Sequence, residues 1–147
     1  VEFGINTGRT AKAILREVQS IEKYIGVDVL PGYITDKAVQ RKEVPLLAGE
    51  AVRGDPRVEL RVTKNGSYDV AELPPCDAVF IDGDHGRKGV ENDSKLAYAA
   101  VRKGGIIVWH DYHDLGTVDV REVLHELSAQ GHAIASVEGT WLAFERM

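Results

Sequence analysis

Cysteine is almost missing from this chain of 147 residues: Cys76 stands alone, which excludes an intrachain disulfide and fits a reducing compartment. No stretch approaches the roughly 20 apolar residues of a membrane span, and no basic-then-apolar leader opens the chain. These gaps point to the cytoplasm, with no membrane partner. A basic excess is missing too. Lys and Arg number 18 against 23 Asp and Glu, a net charge of −5, whereas a nucleic-acid backbone calls for clustered cations. The single basic cluster, Arg41-Lys42, is too short to change that. Repeats and low-complexity tracts are absent as well. What remains is an ordinary globular composition, 44% apolar and 28% charged, in one domain spanning residues 1–147 and long enough to bury a full core.

Strand and helix signals alternate along the chain. Residues 10–19 and the positions just after them put Ile14, Leu15, Val18 and Ile21 at helical spacing, predicting a helix that covers a sheet. Residues 24–29 predict the second strand. Residues 30–57 carry Pro31, Pro45 and Pro56 among glycines and mixed charge, with a short helix expected over 46–53. So long a connection is either a substrate wall or a solvated crossover. Val58-Glu59-Leu60-Arg61-Val62 alternates, as an edge strand does, while residues 78–81 and 106–109 are continuous apolar runs expected of parallel strands covered on both faces. Between those runs, Val90, Ala97, Ala100 and Val101 form a helical stripe that Gly104-Gly105 is expected to cap. Asp119 and Glu122 predict a capping box for a helix packed through Val120, Val123, Leu124 and Leu127. Finally, Glu138-Gly139-Thr140 between residues 133–137 and 141–144 predicts a closing hairpin. Val1 falls within a strand expected at the sheet centre, so a removed initiator methionine and a longer N-terminal part with lid helices both stay open.

The richest signal is Val1-Glu2-Phe3-Gly4-Ile5-Asn6-Thr7-Gly8 taken with Tyr24-Ile25-Gly26-Val27-Asp28. A strand ending in an acidic-then-glycine turn, then a helix, then a strand tipped with Asp is how an α/β sheet holds a nucleoside. Glycines let backbone amides approach, and the carboxylate takes two ribose hydroxyls. The spacing is Glu2-x-Gly4-x-x-x-Gly8, with Asn6 where the dinucleotide pattern G-x-G-x-x-G has its second glycine. That disfavours a nicotinamide enzyme.

Gly4-Ile5-Asn6-Thr7-Gly8-Arg9-Thr10-Ala11 resembles the first motif of the class I S-adenosylmethionine-dependent methyltransferases. It is most similar to their small O-methyltransferase-like branch, which includes cephalosporin-hydroxylase and macrolide-sugar methyltransferase relatives. The resemblance runs over nearly the whole chain, because Phe80-Ile81-Asp82-Gly83-Asp84-His85 and the stretch from Gly104-Gly105 to His110-Asp111-Tyr112 follow in order. It implies a Rossmann-like three-layer sandwich with a mostly parallel seven-stranded sheet and a C-terminal antiparallel hairpin. It also implies S-adenosylmethionine as cofactor. Glu2, Gly4, Ile5, Asn6 and Gly8 would then hold the methionine half, Asp28 and Val29 the ribose, and Asp82 would border the site. Ser67, in Asn65-Gly66-Ser67 after the third strand, stands for the adenine contact, although relatives often have an acidic residue there.

The same resemblance implies one divalent cation beside the transferable methyl, Mg²⁺ or Mn²⁺, held by Asp82, His110 and Asp111. His110 replaces an acidic ligand, and nitrogen tilts a site away from Mg²⁺ toward softer ions. His85 is the general-base candidate, because acidic neighbours raise an imidazole toward working pH; Asp82, His85 and Asp111 make up the catalytic set. His113 and Asp114 are expected on the loop surface, His125 and His132 in solvated or packing roles, and Trp109 and Trp141 in the core or the pocket wall, with the core favoured. The reading is a methyltransferase acting on a small-molecule hydroxyl. Two alternatives stay open: a metal-dependent hydrolase or hydroxylase-like enzyme on the same scaffold, and a non-catalytic module that keeps the nucleoside pocket.

Overall fold

The computed structural model describes residues 1–31 and 45–147, so Arg41-Lys42 and nearly half of the expected substrate wall lie outside the described residues. Seven strands form a single sheet in the order β3-β2-β1-β4-β5-β7-β6. They are β1 (Glu2–Phe3), β2 (Tyr24–Val29), β3 (Val58–Thr63), β4 (Cys76–Ile81), β5 (Val101–Trp109), β6 (Ala135–Ser136) and β7 (Ala143–Arg146). The first five run parallel, whereas β7 is antiparallel to both β5 and β6. The α/β class, the edge position of β3 and the closing hairpin are as the sequence predicts.

Among the described residues three α-helices accompany the sheet: α1 (Arg9–Glu17), α2 (Arg87–Ala100) and α3 (Val120–Ala129). Ala11 and Leu15 of α1 are buried with Ile5, Tyr24 and Val52. Val18, expected on that face, is exposed because the helix stops at Glu17 and Val18 leaves the helical conformation. The opposite face of the sheet carries the main core, where Phe3, Val27, Val79, Ile81, Ile107 and Trp109 meet Val90, Ala97, Val120, Val123 and Leu124.

The central strands are not covered equally on both faces. Val79, Ile81, Ile107 and Trp109 are buried, but Phe80, Ile106 and Val108 are half-buried and Ala78 is exposed. Among the described residues, the packing around α1 reaches β2 and β3 through Tyr24, Val58 and Leu60 and stops short of β4 and β5.

Two expected helix signals are overridden by long-range pairing. Gly104-Gly105 caps nothing: Val101 pairs with Cys76, so the strand takes over directly at the end of α2 and the glycines lie inside β5. The capping box at Asp119 is not formed. Asp119 instead accepts from the backbone N–H of Arg87, at the start of α2, while Glu122 and Glu126 meet the Arg87 guanidinium. Around residues 46–53 only Glu50–Val52 is helical, as one 3-10 turn. Among the described residues, no helix is long and apolar enough to cross a membrane.

Candidate active site

Because β1 to β5 are parallel, their carboxyl ends share one edge of the sheet, where ligands of such folds bind. The loop after β1 is pressed against the loop after β4. A side chain on Gly4 would come within 2.0 Å of the Asp82 carbonyl oxygen, and Gly4 sits at φ 79, so only glycine fits. Asn6, at the place of the dinucleotide pattern's second glycine, takes φ 49 in the left-handed region; Asn tolerates it better than most residues.

Asp28 ties this turn to β2. One of its carboxylate oxygens accepts from the Asn6 N–H at 2.6 Å and the other from the Val29 N–H at 2.7 Å. Each oxygen keeps a lone pair for a further donor. Burial pushes the Asp28 carboxyl above its usual value, and the two backbone donors oppose the rise.

A cavity of about 150 Å³ opens here. Gly4, Asn6, Asp28, Val29, Ser67 and Asp82 line it, six of the residues expected to contact a cofactor. Glu2, Ile5 and Gly8 do not. The Glu2 side chain turns to the α1 face, is 1% exposed, and accepts from the Tyr24 hydroxyl at 2.9 Å. Ile5 packs against Gly26, and Gly8 closes the turn by donating to the Ile5 carbonyl. Sequence reasoning missed Phe3, Val27, Gly83 and, above all, Asp93 of α2, which also line the cavity.

At the β4 and β5 tips two aspartates and three imidazoles converge. His85 Nε2 lies 3.4 Å from Asp82 Oδ1 and 3.2 Å from Asp111 Oδ2. His110 Nδ1 lies 3.4 Å from Asp82 Oδ1 and 3.2 Å from Asp111 Oδ1, yet is aligned with neither for a hydrogen bond. His113, expected at the surface, turns inward, with its Nε2 3.7 Å from Asp111 Oδ1. Asp111 makes this possible by adopting φ 58, which reverses the chain after β5. Asp114 does remain exposed.

Trp141, expected in the core, is 51% exposed. It precedes β7, whose antiparallel course brings it to the same edge, and its ring meets His113 edge-on at 4.8 Å. Trp109 is fully buried and donates to Ser94. His125 contacts the Tyr112 hydroxyl at the surface, and His132 packs on Tyr98.

The electrostatics of the cluster are mutual. Burial by itself lowers the His85 pKa, but the Asp82 hydrogen bond and the charges of Asp111, Asp82 and Asp84 outweigh it and leave it raised. His110 is raised first by its contact with Asp111. For Asp111, burial pushes upward, while His110 and the charges of His85, His110 and His113 hold the carboxyl below its usual range. Ligand atoms of Asp82, His85 and Asp111 all fall within 4.8 Å of one another, close enough for one cation. His110, the imidazole expected in that role, is not in this set; its ring is placed edge-on to Phe80 and Trp141. Two oxygens and a nitrogen suit a first-row transition ion better than Mg²⁺.

Among solved structures, the fold is similar to CalS11, a calicheamicin methyltransferase, at 16% identity and a TM-score of 0.68 over 99% of this chain and 70% of that one. It is also similar to the O-methyltransferase NovP, at 14% identity and a TM-score of 0.64 over 99% and 69% of the two chains. DhpI, in a complex with SAH, gives 18% identity and a TM-score of 0.57 over 97% and 72%. In sequence, the chain is 47% identical over 121 residues to Uncharacterized protein R132 of Acanthamoeba polyphaga mimivirus, covering 78% of this chain. It spans about half the length of that curated relative, 51%. The family described as a methyltransferase domain matches residues 1–112, the part that holds both motif loops and the whole cavity edge up to Tyr112. The chain therefore belongs to the methyltransferase-domain family, on the class I O-methyltransferase-like fold.

Proposed function

We propose that this chain binds S-adenosylmethionine in the cavity at the strand tips and methylates a hydroxyl of a small molecule. The observation that carries the reading is Asp28, whose carboxylate sits on the cavity wall, fixed by the Asn6 and Val29 amides. Its free lone pairs match the two vicinal hydroxyls of a ribose.

When bound, the sulfonium supplies a methyl group that is already activated for attack. The chain's residues then have three tasks: to align the acceptor, keep water away and take one proton. The carbon–sulfur electron pair would stay on sulfur as the acceptor oxygen takes the methyl group, so one hydroxyl proton is left for the chain to accept. The hydroxyl proton passes to the His85 imidazole, which Asp82 and Asp111 hold in place. A cation at Asp82 and Asp111 would lower the hydroxyl pKa. His85 belongs to the same ligand set, so its imidazole serves as base only where no cation holds it. Trp141 and His113 supply the wall against which the acceptor packs.

The test is calorimetry with S-adenosylhomocysteine, with and without Mn²⁺ or Mg²⁺. Binding is expected, and Asp28→Ala weakens it by about 1–3 kcal/mol through lost charge-assisted hydrogen bonds. No binding at saturating ligand overturns the reading, and unchanged affinity in the variant overturns the role of Asp28.

A further inference from the structure

We propose that Asp93 selects the base of the bound nucleoside, its Oδ2 accepting a hydrogen bond from the 6-amino group of adenine. The inference rests on the S-adenosylmethionine reading above and adds a specificity-determining residue to it.

The starting point is an acid in an apolar position. Asp93 lies on the buried stripe of α2 with Gly89, Val90, Ser94 and Ala97, and it is 0% exposed. Burying a carboxyl is costly unless donors meet it. Asn92 Nδ2 reaches Oδ1 at 3.2 Å and also touches Ser67 Oγ at 3.3 Å. Among the described residues, no donor lies within hydrogen-bond reach of Oδ2. An acceptor left bare inside a fold calls for an explanation, and a ligand donor supplies one.

The position of Asp93 says which part of the ligand. With the ribose at Asp28, the base extends between the turn at Gly66–Asp69 and the loop after β4. Ser67 and Gly83 border that space, and Asp93 forms its inner wall. Gly83 keeps the approach open: a Cβ there would stand 3.0 Å from Asp93 Oδ2. A carboxylate oxygen only accepts. Adenine offers N–H at its 6-position, whereas a 6-oxo purine offers a lone pair, so the two are told apart at that one atom.

Burial, opposed by Ser67 and Asn92, pushes the Asp93 carboxyl up to about 7, so the measurement is made at about pH 8.5, where the carboxylate dominates. Calorimetry on the full chain compares S-adenosylhomocysteine with its 6-oxo analogue, S-inosylhomocysteine. The amino form is expected to bind at least about 10-fold more tightly, because a buried acceptor facing a lone pair is left unpaired. In Asp93→Asn the preference falls to within about threefold, since a side-chain amide can turn its N–H toward the 6-oxo group. A merely structural Asp93 would weaken both ligands alike. Equal wild-type affinities overturn the assignment, as does an undiminished preference in the variant; if the variant does not fold, the wild-type ratio decides. Failure of both ligands to bind takes down the S-adenosylmethionine reading itself, and this inference with it.

Discussion

Among the described residues two carboxylate–imidazole clusters stand out, and they are built on opposite terms. In the first, Glu145 of β7 is 7% exposed and receives three donors: the Tyr98 hydroxyl at 2.6 Å, the Ala133 N–H at 2.8 Å and His132 Nδ1 at 3.2 Å. The Tyr98 and His132 rings also stack at 4.2 Å. Burial and the neighbouring Glu145 hold the Tyr98 hydroxyl well above its ordinary value. The second cluster, at the strand tips, has two aspartates and three imidazoles at 3.2 to 3.7 Å, an unaligned His110 nitrogen and a backbone at φ 58. Long contacts and a left-handed Asp111 are what a fold keeps where an incoming group will complete the geometry. The first cluster is closed and holds β7 to α2 and to the end of α3; the second is open.

That contrast breaks or stands on paired substitutions. The largest expected effect is on chemistry: Asp111→Asn lowers the methyl-transfer rate by about 10²-fold or more, measured with the acceptor that calorimetry and turnover screening identify. Stability in urea stays within about 1 kcal/mol of wild type, because the cluster contributes little to the fold. Asn also tolerates the left-handed backbone that Asp111 occupies. Next, Glu145→Ala removes the acceptor for three donors at once and lowers unfolding stability by about 2–4 kcal/mol, with affinity for S-adenosylhomocysteine retained in the folded fraction. Should Glu145→Ala prove harmless while Asp111→Asn unfolds the chain, the two clusters have been assigned the wrong way round.

How far the sequence foretold this depends on the range of the deciding interaction. The strand over Tyr24–Val29, the edge position of β3 and the closing hairpin were legible because period and turn chemistry are local. Gly104-Gly105 misled for the same reason: the doublet has the local form of a helix cap, but Val101 pairs with Cys76 and Ile106 with Ala78 on either side of it, and the glycines themselves bond to the Met147 backbone. Asp119 follows the local capping rule in sequence and spends its carboxylate on a different helix. The site was legible in its residues and not in its directions. Asp28, Asp82, His85 and Asp111 converge as spacing and resemblance implied, whereas Glu2 faces away and His113 faces in. Asp93 did leave a signal. It stands three residues after Val90 and four before Ala97, on the stripe that packs the core, where an acid is out of place.

Glu2 sharpens the comparison by standing between its extremes. It is as buried as Glu145 but, among the described residues, has one side-chain donor, Tyr24. Burial, partly offset by that hydrogen bond and reinforced by Asp82 and Asp28, pushes its carboxyl up to about 8. Unfolded, it titrates near the ordinary 4.5. The folded state therefore binds the proton more tightly than the unfolded one, so this contribution to stability is complete below about pH 4.5 and is lost as pH rises through about 8. Glu2→Gln keeps an acceptor for Tyr24 and carries no charge, so its stability follows no such fall. Urea unfolding at pH 5 and at pH 8.5 is expected to show the variant gaining on wild type by at least about 1 kcal/mol at the higher pH. A gap that stays constant between the two would mean that Glu2 is ionised in the folded chain, as a carboxylate facing a ligand's ammonium group would be, and would return it to the cofactor site from which its geometry removes it.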